Sequence, residues 1–233
     1  MEISASGINL YLQCPYAFKI KYIDKVEVPF ENPYLITGKL VHRALELFFN
    51  EKIKDKTTLT TPADFLKIAL EDYGHMNALQ LEDCISEAKH YLDVYTPLAV
   101  TLNPVSTEQY FELKLDEDFT LRGYVDLVIK EGKKYHIIDF KTTRGQIKDN
   151  VKYTLQLSIY HLANNVDAYY LHYITPTHVE VKQVEPINKE DLNEIIENVK
   201  TSVYANNFPP SGLINNQCGS CNYRKYCKFA KIK

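Results

Sequence analysis

The sequence predicts an α/β domain in which helices cover a mixed β-sheet, and three observations lead there. Two strand-like runs, Leu121–Ile129 and Tyr135–Lys141, flank the turn Lys130-Glu131-Gly132-Lys133; the alternation and the turn glycine together read as a hairpin. Helical patterns, with apolar residues three and four apart, come before and after it. Further strand-like segments lie on both sides, so strands and helices interleave as in a sheet with helical layers on its faces. At 233 residues the chain can bury a full core, and one domain over 1–233 is expected.

Ile8–Tyr22 has helical spacing, with Ser6 as its cap. Cys14-Pro15 interrupts it, because proline removes a backbone donor and restricts the residue before it; the helix restarts at Pro15. Asp24–Pro33 is a connector. Tyr34–Asn50 carries the stripe Leu40, Val41, Ala44, Leu45, Leu47 and Phe48, and His42 and Glu46, four apart, are surface neighbours. Thr61-Pro62 opens a short helix to about Leu70. Leu79–Tyr95 is another, ended by Thr96-Pro97. Residues 51–100 thus read as a helical insertion or flanking layer on a core spanning 34–187.

Strands resume at Glu108–Leu115 and run through the hairpin. A helix over Lys152–Asn164 places Gln156 and Tyr160 four apart, Ala168–Thr175 and Val179–Val184 are two more strands, and Asn188 caps Lys189–Asn206. Pro209-Pro210-Ser211-Gly212 then breaks the chain before a cysteine-rich tail.

The chemistry gathers on the hairpin. Asp126 interrupts Val125-Leu127-Val128, and Asp139 follows His136-Ile137-Ile138. Carboxylates in apolar runs are expensive to bury unless paired or bound to a metal. Asp139 and Lys141 are two apart and share a face. Two carboxylates, the backbone carbonyl of Phe140 and a lysine make a candidate site for Mg²⁺ or Mn²⁺, which favour oxygen ligands. Such a site suits phosphodiester hydrolysis, where a metal acidifies water and Lys141 positions or deprotonates it. Glu46 and Glu112 are weaker candidates.

The totals narrow the alternatives. A net charge of −3 argues against a uniformly basic surface, although local phosphate contacts, not the total, decide nucleic-acid affinity. Arg224, Lys225, Lys228, Lys231 and Lys233 make the tail basic, and Tyr11, Tyr16, Tyr22 and Tyr223 are candidates for stacking on splayed bases or for core packing. Gly38-Lys39 lacks the rest of a phosphate loop, so no ATP site is expected. No run approaches the roughly 18 apolar residues of a membrane span. With no secretory leader at Met1-Glu2-Ile3-Ser4, an intracellular protein is expected.

Reducing surroundings disfavour disulfides. Cys14 and the run Cys218-x2-Cys221-x5-Cys227 instead suggest a four-thiolate metal centre joining 1–33 to 207–233. Spacing leaves zinc and iron–sulfur both open. Cys84, within a helical pattern, reads as a small buried apolar residue.

Taken together, His42 on its helix, the Gly123-x-x-Asp126 strand, Asp139-x-Lys141 and Gln156-x3-Tyr160 resemble, in order and spacing, the RecB-type branch of the PD-(D/E)XK nuclease superfamily. The resemblance spans about His42 to Tyr160. It implies a restriction-endonuclease-like fold, with His42, Asp126 and Asp139 as metal ligands and Lys141 as the catalytic lysine. Gln156 and Tyr160 would lie beside the site, orienting Lys141 or the DNA backbone. An imidazole ligand favours Mn²⁺ over Mg²⁺. The cysteine pattern, with Cys14-Pro15-Tyr16-Ala17-Phe18, is similar to the superfamily's iron–sulfur members, the AddB-type nuclease domain and the small CRISPR-adaptation exonucleases with their phage relatives. It implies a structural [4Fe–4S] cluster. The expected activity is metal-dependent DNA cleavage, as an exonuclease on single-stranded ends, with a helicase or CRISPR-adaptation protein as a possible partner. The competing reading is a DNA-binding or scaffolding subunit without turnover.

Overall fold

A computed structural model describes residues 1–28, 33–71, 78–147 and 151–231. Parts of the Asp24–Pro33 connector and of segment 51–100, and Lys233 of the basic tail, lie outside them. Six strands form one sheet: β1 (Glu2–Ile3), β2 (Pro104–Lys114), β3 (Thr120–Glu131), β4 (Lys134–Thr142), β5 (Ala168–Ile174) and β6 (Val179–Gln183). Their order is β1-β3-β4-β5-β6, with β2 also on β3. The β1–β3 and β4–β5 pairs are parallel and the rest antiparallel, so the sheet is mixed.

The β3–β4 hairpin turns at Gly132, whose φ of +62° suits a residue without a Cβ. β3 organises the sheet. One edge pairs with β2 along nearly its whole length. The other meets β1 at Thr120–Leu121 and β4 only from Leu127 onward. Residues 122–126 therefore have no ladder partner on that edge among the described residues, and a fork opens there.

Helices cover both faces. On one side lie α1 (Ala5–Gln13), α2 (Pro15–Phe18), α6 (Val151–Ala163) and α7 (Lys189–Tyr204), burying Ile8, Phe18, Leu155, Leu157, Ile159 and Val199 against Leu121, Val128 and Ile137. On the other lie α3 (Pro33–Lys54), α4 (Leu66–Ala69) and α5 (Ala78–Ala99), packing Leu40, Leu45, Phe48, Leu92 and Tyr95 against Leu127, Ile138 and Phe140. Segment 51–100 thus serves as a covering layer, and Cys84 is buried in it.

Four local expectations need correction. Ser4, not Ser6, is the N-cap of α1, accepting from the Gly7 N–H; Ser6 sits in the first turn, with its hydroxyl on that of Ser4. Past Pro15 the chain forms α2 and then a π-helical turn, Lys19–Ile23. Pro97 does not end α5, which runs to Ala99; the proline falls in the last turn, where only one donor is lost and burial of Tyr95 and Ala99 holds the helix on. β1 was not foreseen, because two residues carry no readable periodicity.

Candidate active site

Register places the acidic residues in line. Thr107 pairs with Leu127 and Gln109 with Val125, so Glu108 lies opposite Asp126. On the other edge the β3–β4 ladder ends at Leu127 opposite Ile138, so Asp126 and Asp139 are next in line. Two carboxylates facing each other are a poor ladder pair, and the strands part at that point. Asp126 Oδ2 instead accepts the Phe140 backbone N–H at 2.9 Å. It also lies 3.4 Å from His42 Nδ1 on α3.

Ligand atoms of His42, Glu108 and Asp126 all lie within 4.8 Å of one another. Glu108 has φ +42°, a left-handed conformation that is strained for a residue with a Cβ and that gathers at functional sites. Burial, then Asp126, Glu46 and Asp139, push its carboxyl up to about 7, against a smaller pull from Arg43. His42, Glu108, Glu46, Lys39 and Arg43 line a cleft of about 620 Å³.

Asp139 is fully buried, and its carboxyl is pushed up to about 6 by that burial, opposed by Lys141. The Lys141 ammonium is in close contact with Asp139 Oδ2. Apart from that ion pair, neither Asp139 oxygen has a hydrogen-bond partner among the described residues. Buried polar atoms left this way are rare and point to something they bind. Burial pulls the Lys141 amine down, but Asp139 and Asp126 outweigh it and hold the group above its ordinary value. In this state it is a cation rather than a base.

A relay fixes the lysine. Lys141 Nζ donates to Gln156 Oε1 at 3.1 Å, and Gln156 Nε2 donates to Tyr160 Oη at 2.6 Å. The four-residue spacing of Gln156 and Tyr160 puts both on one face of α6. The Tyr153 ring lies 4.9 Å from the same ammonium, adding a cation–π contact. The Phe140 side chain is buried in the α3–α5 core, stacked on Phe49. Its N–H faces Asp126, and a strand residue's N–H and C=O point toward the same neighbour.

The secondary candidates separate. Glu46 borders the cleft but pairs with Arg43 at 2.6 Å. Glu112 is exposed, opposite Arg122 in register and accepting from Tyr110 Oη; it lies away from the row. Glu108 takes the place foreseen for it. The only sequence signal was its position at the start of a strand, which says nothing until the register is known. Tyr11, Tyr16 and Tyr22 pack against the core: Tyr11 Oη meets Ser202 Oγ at 2.6 Å, and the Tyr16 and Tyr22 rings sit on Phe229 and Phe18. Tyr223 is half-buried in the tail.

The chain ends meet. Cys14, at the break between α1 and α2, lines one small cavity with Cys218, Cys221 and Cys227. Gly212 closes it: a Cβ there would lie 3.2 Å from Cys14 Sγ. Burial pushes the Cys221 thiol up, and the other three cysteines add to this. A thiol set gathered around a cavity that a single methyl would crowd is chemically suited to a metal centre.

No helix among the described residues is long and apolar enough to cross a membrane. No curated protein matches the chain. Solved structures resemble it, two among them as follows. The crystal structure of SSO0001 aligns with a TM-score of 0.48 at 18% identity, over 83% of this chain and 85% of that one. A protein from Eubacterium rectale named "Putative exonuclease" aligns with a TM-score of 0.57 at 11% identity, over 88% of this chain and 79% of that one; at such identity the likeness shows a shared fold. The model of the PD-(D/E)XK nuclease superfamily matches residues 2–228, nearly end to end. The chain belongs to the PD-(D/E)XK nuclease superfamily.

Proposed function

We propose that this chain is a metal-dependent DNase of the RecB-type branch, acting as an exonuclease on single-stranded ends. The observation that carries the reading is Asp139: a buried carboxylate whose oxygens, among the described residues, have the Lys141 ion pair and no other partner, beside a lysine held by its own relay. His42, Glu108, Asp126 and Asp139 would hold the divalent cation, with the Phe140 carbonyl, directed into the same fork, as a further oxygen. The mixed imidazole and carboxylate set favours Mn²⁺ over Mg²⁺. When bound, the cation supplies Lewis acidity and a lowered pKa for water.

The protein's own groups do the rest. The Lys141 ammonium, fixed by Gln156 and backed by Tyr153, places positive charge beside the row, where it orients water and offsets charge on the phosphate. In the hydrolysis, the water oxygen bonds to phosphorus, the bond to the leaving oxygen breaks, and that oxygen takes up a proton. Asp139→Ala tests this. Mn²⁺-dependent cleavage of end-labelled single strands is expected to disappear, and unchanged cleavage defeats the assignment. Wild-type protein that binds DNA anaerobically but never cuts it with Mn²⁺ is instead a scaffold.

Cys14, Cys218, Cys221 and Cys227 are assigned to a structural [4Fe–4S] cluster, tying 1–33 to 207–233 so that 1–233 acts as one domain. Anaerobically purified protein is expected to be brown; colourless protein with stoichiometric zinc overturns the cluster. An intracellular setting and a helicase or CRISPR-adaptation partner complete the reading.

A further inference from the structure

A second cleft, of about 430 Å³, is lined by Gln156 and Tyr160 of the lysine relay and by none of His42, Glu108, Asp126 or Asp139. Its two walls are helix faces. α1 contributes Ala5, Asn9 and Gln13, and α6 contributes Lys152, Gln156 and Tyr160. Both sets repeat every four residues, so each is one continuous stripe. Asn9 Nδ2 donates to the Lys152 carbonyl at 3.0 Å and ties the walls together.

The floor is Arg122-Gly123-Tyr124, which lies in the stretch of β3 without a ladder partner between β1 and β4. That open edge leads straight to Asp126. Gly123 keeps the floor low, because a Cβ there would meet the Phe111 ring at 2.9 Å. The groove thus begins at the Gln156–Tyr160 relay and ends at Gln13, next to Cys14.

Its chemistry differs from that of the metal-side cleft. No carboxylate is among its described lining residues, whereas Glu46 and Glu108 border the other. Lys152 and Arg122 supply positive charge; Arg122 pairs with Glu2 at 2.6 Å, with both side chains about half exposed, so a phosphate can replace that partner. Tyr124 is 55% exposed and leans on Tyr110, ring centroids 5.2 Å apart. Cations, aromatic faces and neutral hydrogen-bonding groups along one track are what an unpaired nucleic-acid strand needs. A duplex keeps its base faces stacked inside.

We propose that this groove seats the unpaired nucleotides next to the scissile phosphate, with Tyr124 as stacking platform and Lys152 and Arg122 on the backbone. The inference rests on the nuclease reading for what lies at the groove's inner end. It assigns a substrate track on the α1–α6 side, and with it a structural source of single-strand preference.

The test separates the two. Binding of a fluorescent oligothymidylate is followed by anisotropy in EDTA, where nothing is cut. Tyr124→Ala is expected to weaken it about tenfold, and Tyr124→Phe to restore it, since the ring face does the binding. Lys152→Ala is expected to lower the slope of log affinity against log salt by about 0.7, one phosphate contact on a single strand. Affinity for a blunt duplex is expected to stay within about twofold in all three. A Tyr124→Ala variant that binds the single strand like the wild type, or a Phe variant as weak as the Ala, overturns the groove. Bis(p-nitrophenyl) phosphate hydrolysis with Mn²⁺ reports the metal row alone and is expected to be unchanged in these variants. If the wild type fails there while the binding pattern holds, the nuclease reading falls and the groove stands.

Discussion

Asp126 holds the Phe140 backbone N–H at 2.9 Å across the point where β3 and β4 stop pairing. A side chain thus satisfies the donor that a neighbouring strand would otherwise take, and the two aspartates stay in line without a ladder between them. The fork is the structural condition for the site: a closed ladder would present the same carboxylates with no room between strands.

Glu108→Gln tests the residue that sequence patterns missed. Its carboxyl is raised from 4.5 to about 7 by burial and by neighbouring carboxylates. The metal-free folded chain therefore holds a proton that the unfolded chain releases, and stability falls as pH rises from about 4.5 to 7. The variant is expected to be more stable than wild type at pH 8 in EDTA, and to bind Mn²⁺ at least tenfold more weakly. Urea denaturation and calorimetric titration read the two effects.

His172 gives the opposite pH dependence. It is buried under α5, its Nδ1 2.7 Å from Tyr95 Oη, and burial holds its imidazole down at about 4. Above its unfolded value of about 6.5 both states are neutral. Between about 6.5 and 4 only the unfolded chain takes up the proton, so stability declines as pH falls through that window, by on the order of 3 kcal/mol. A Tyr95→Phe, His172→Phe double variant removes the pair without orphaning either partner, and its denaturation midpoint is expected to change less between pH 7 and 5.

The lysine relay predicts graded losses. Gln156→Ala removes the amide oxygen to which Lys141 Nζ donates and is expected to lower kcat about 10- to 100-fold with little change in KM. Tyr160→Phe removes only the hydroxyl behind Gln156, and its loss is expected to be smaller. Lys141→Arg is expected not to rescue activity, because a planar fork cannot replace a compact ammonium. Steady-state kinetics on one labelled substrate orders the three.

Gly212→Ala probes the cysteine cavity without touching a thiol. The new methyl meets Cys14 Cβ and Sγ, both at 3.2 Å, so iron content per chain is expected to fall and the brown colour with it. Normal loading would show that the cavity opens by moving the Pro210 segment instead.

Much of this was legible in the sequence because it is local. Asp139 and Lys141 share a face by strand alternation, Gln156 and Tyr160 by helix pitch, and the hairpin announces its own turn at Gly132. The layers followed from apolar spacing, since α3, α5 and α6 each carry a stripe. Glu108 was not legible, because its place depends on a register set by the 115–119 connection and on a backbone conformation that a glutamate seldom adopts. Glu112 looked equivalent until that register sent it to the surface beside Tyr110. Ser4 and Ser6 are both good caps by type, and only the pairing of Glu2–Ile3 with β3 decides where the helix can begin.

α1 is a single rod nine residues long, about 13 Å from end to end, and both its termini are employed. Ala5, Asn9 and Gln13 border the groove along its whole length, and past Gln13 the chain passes straight into Cys14 and the thiol cavity. Damage to the sulfurs is therefore expected to shift that wall directly. On the proposed reading, oxidised protein is expected to turn over a small ester at the fork yet lose its hold on long polymer, a defect of grip rather than of chemistry.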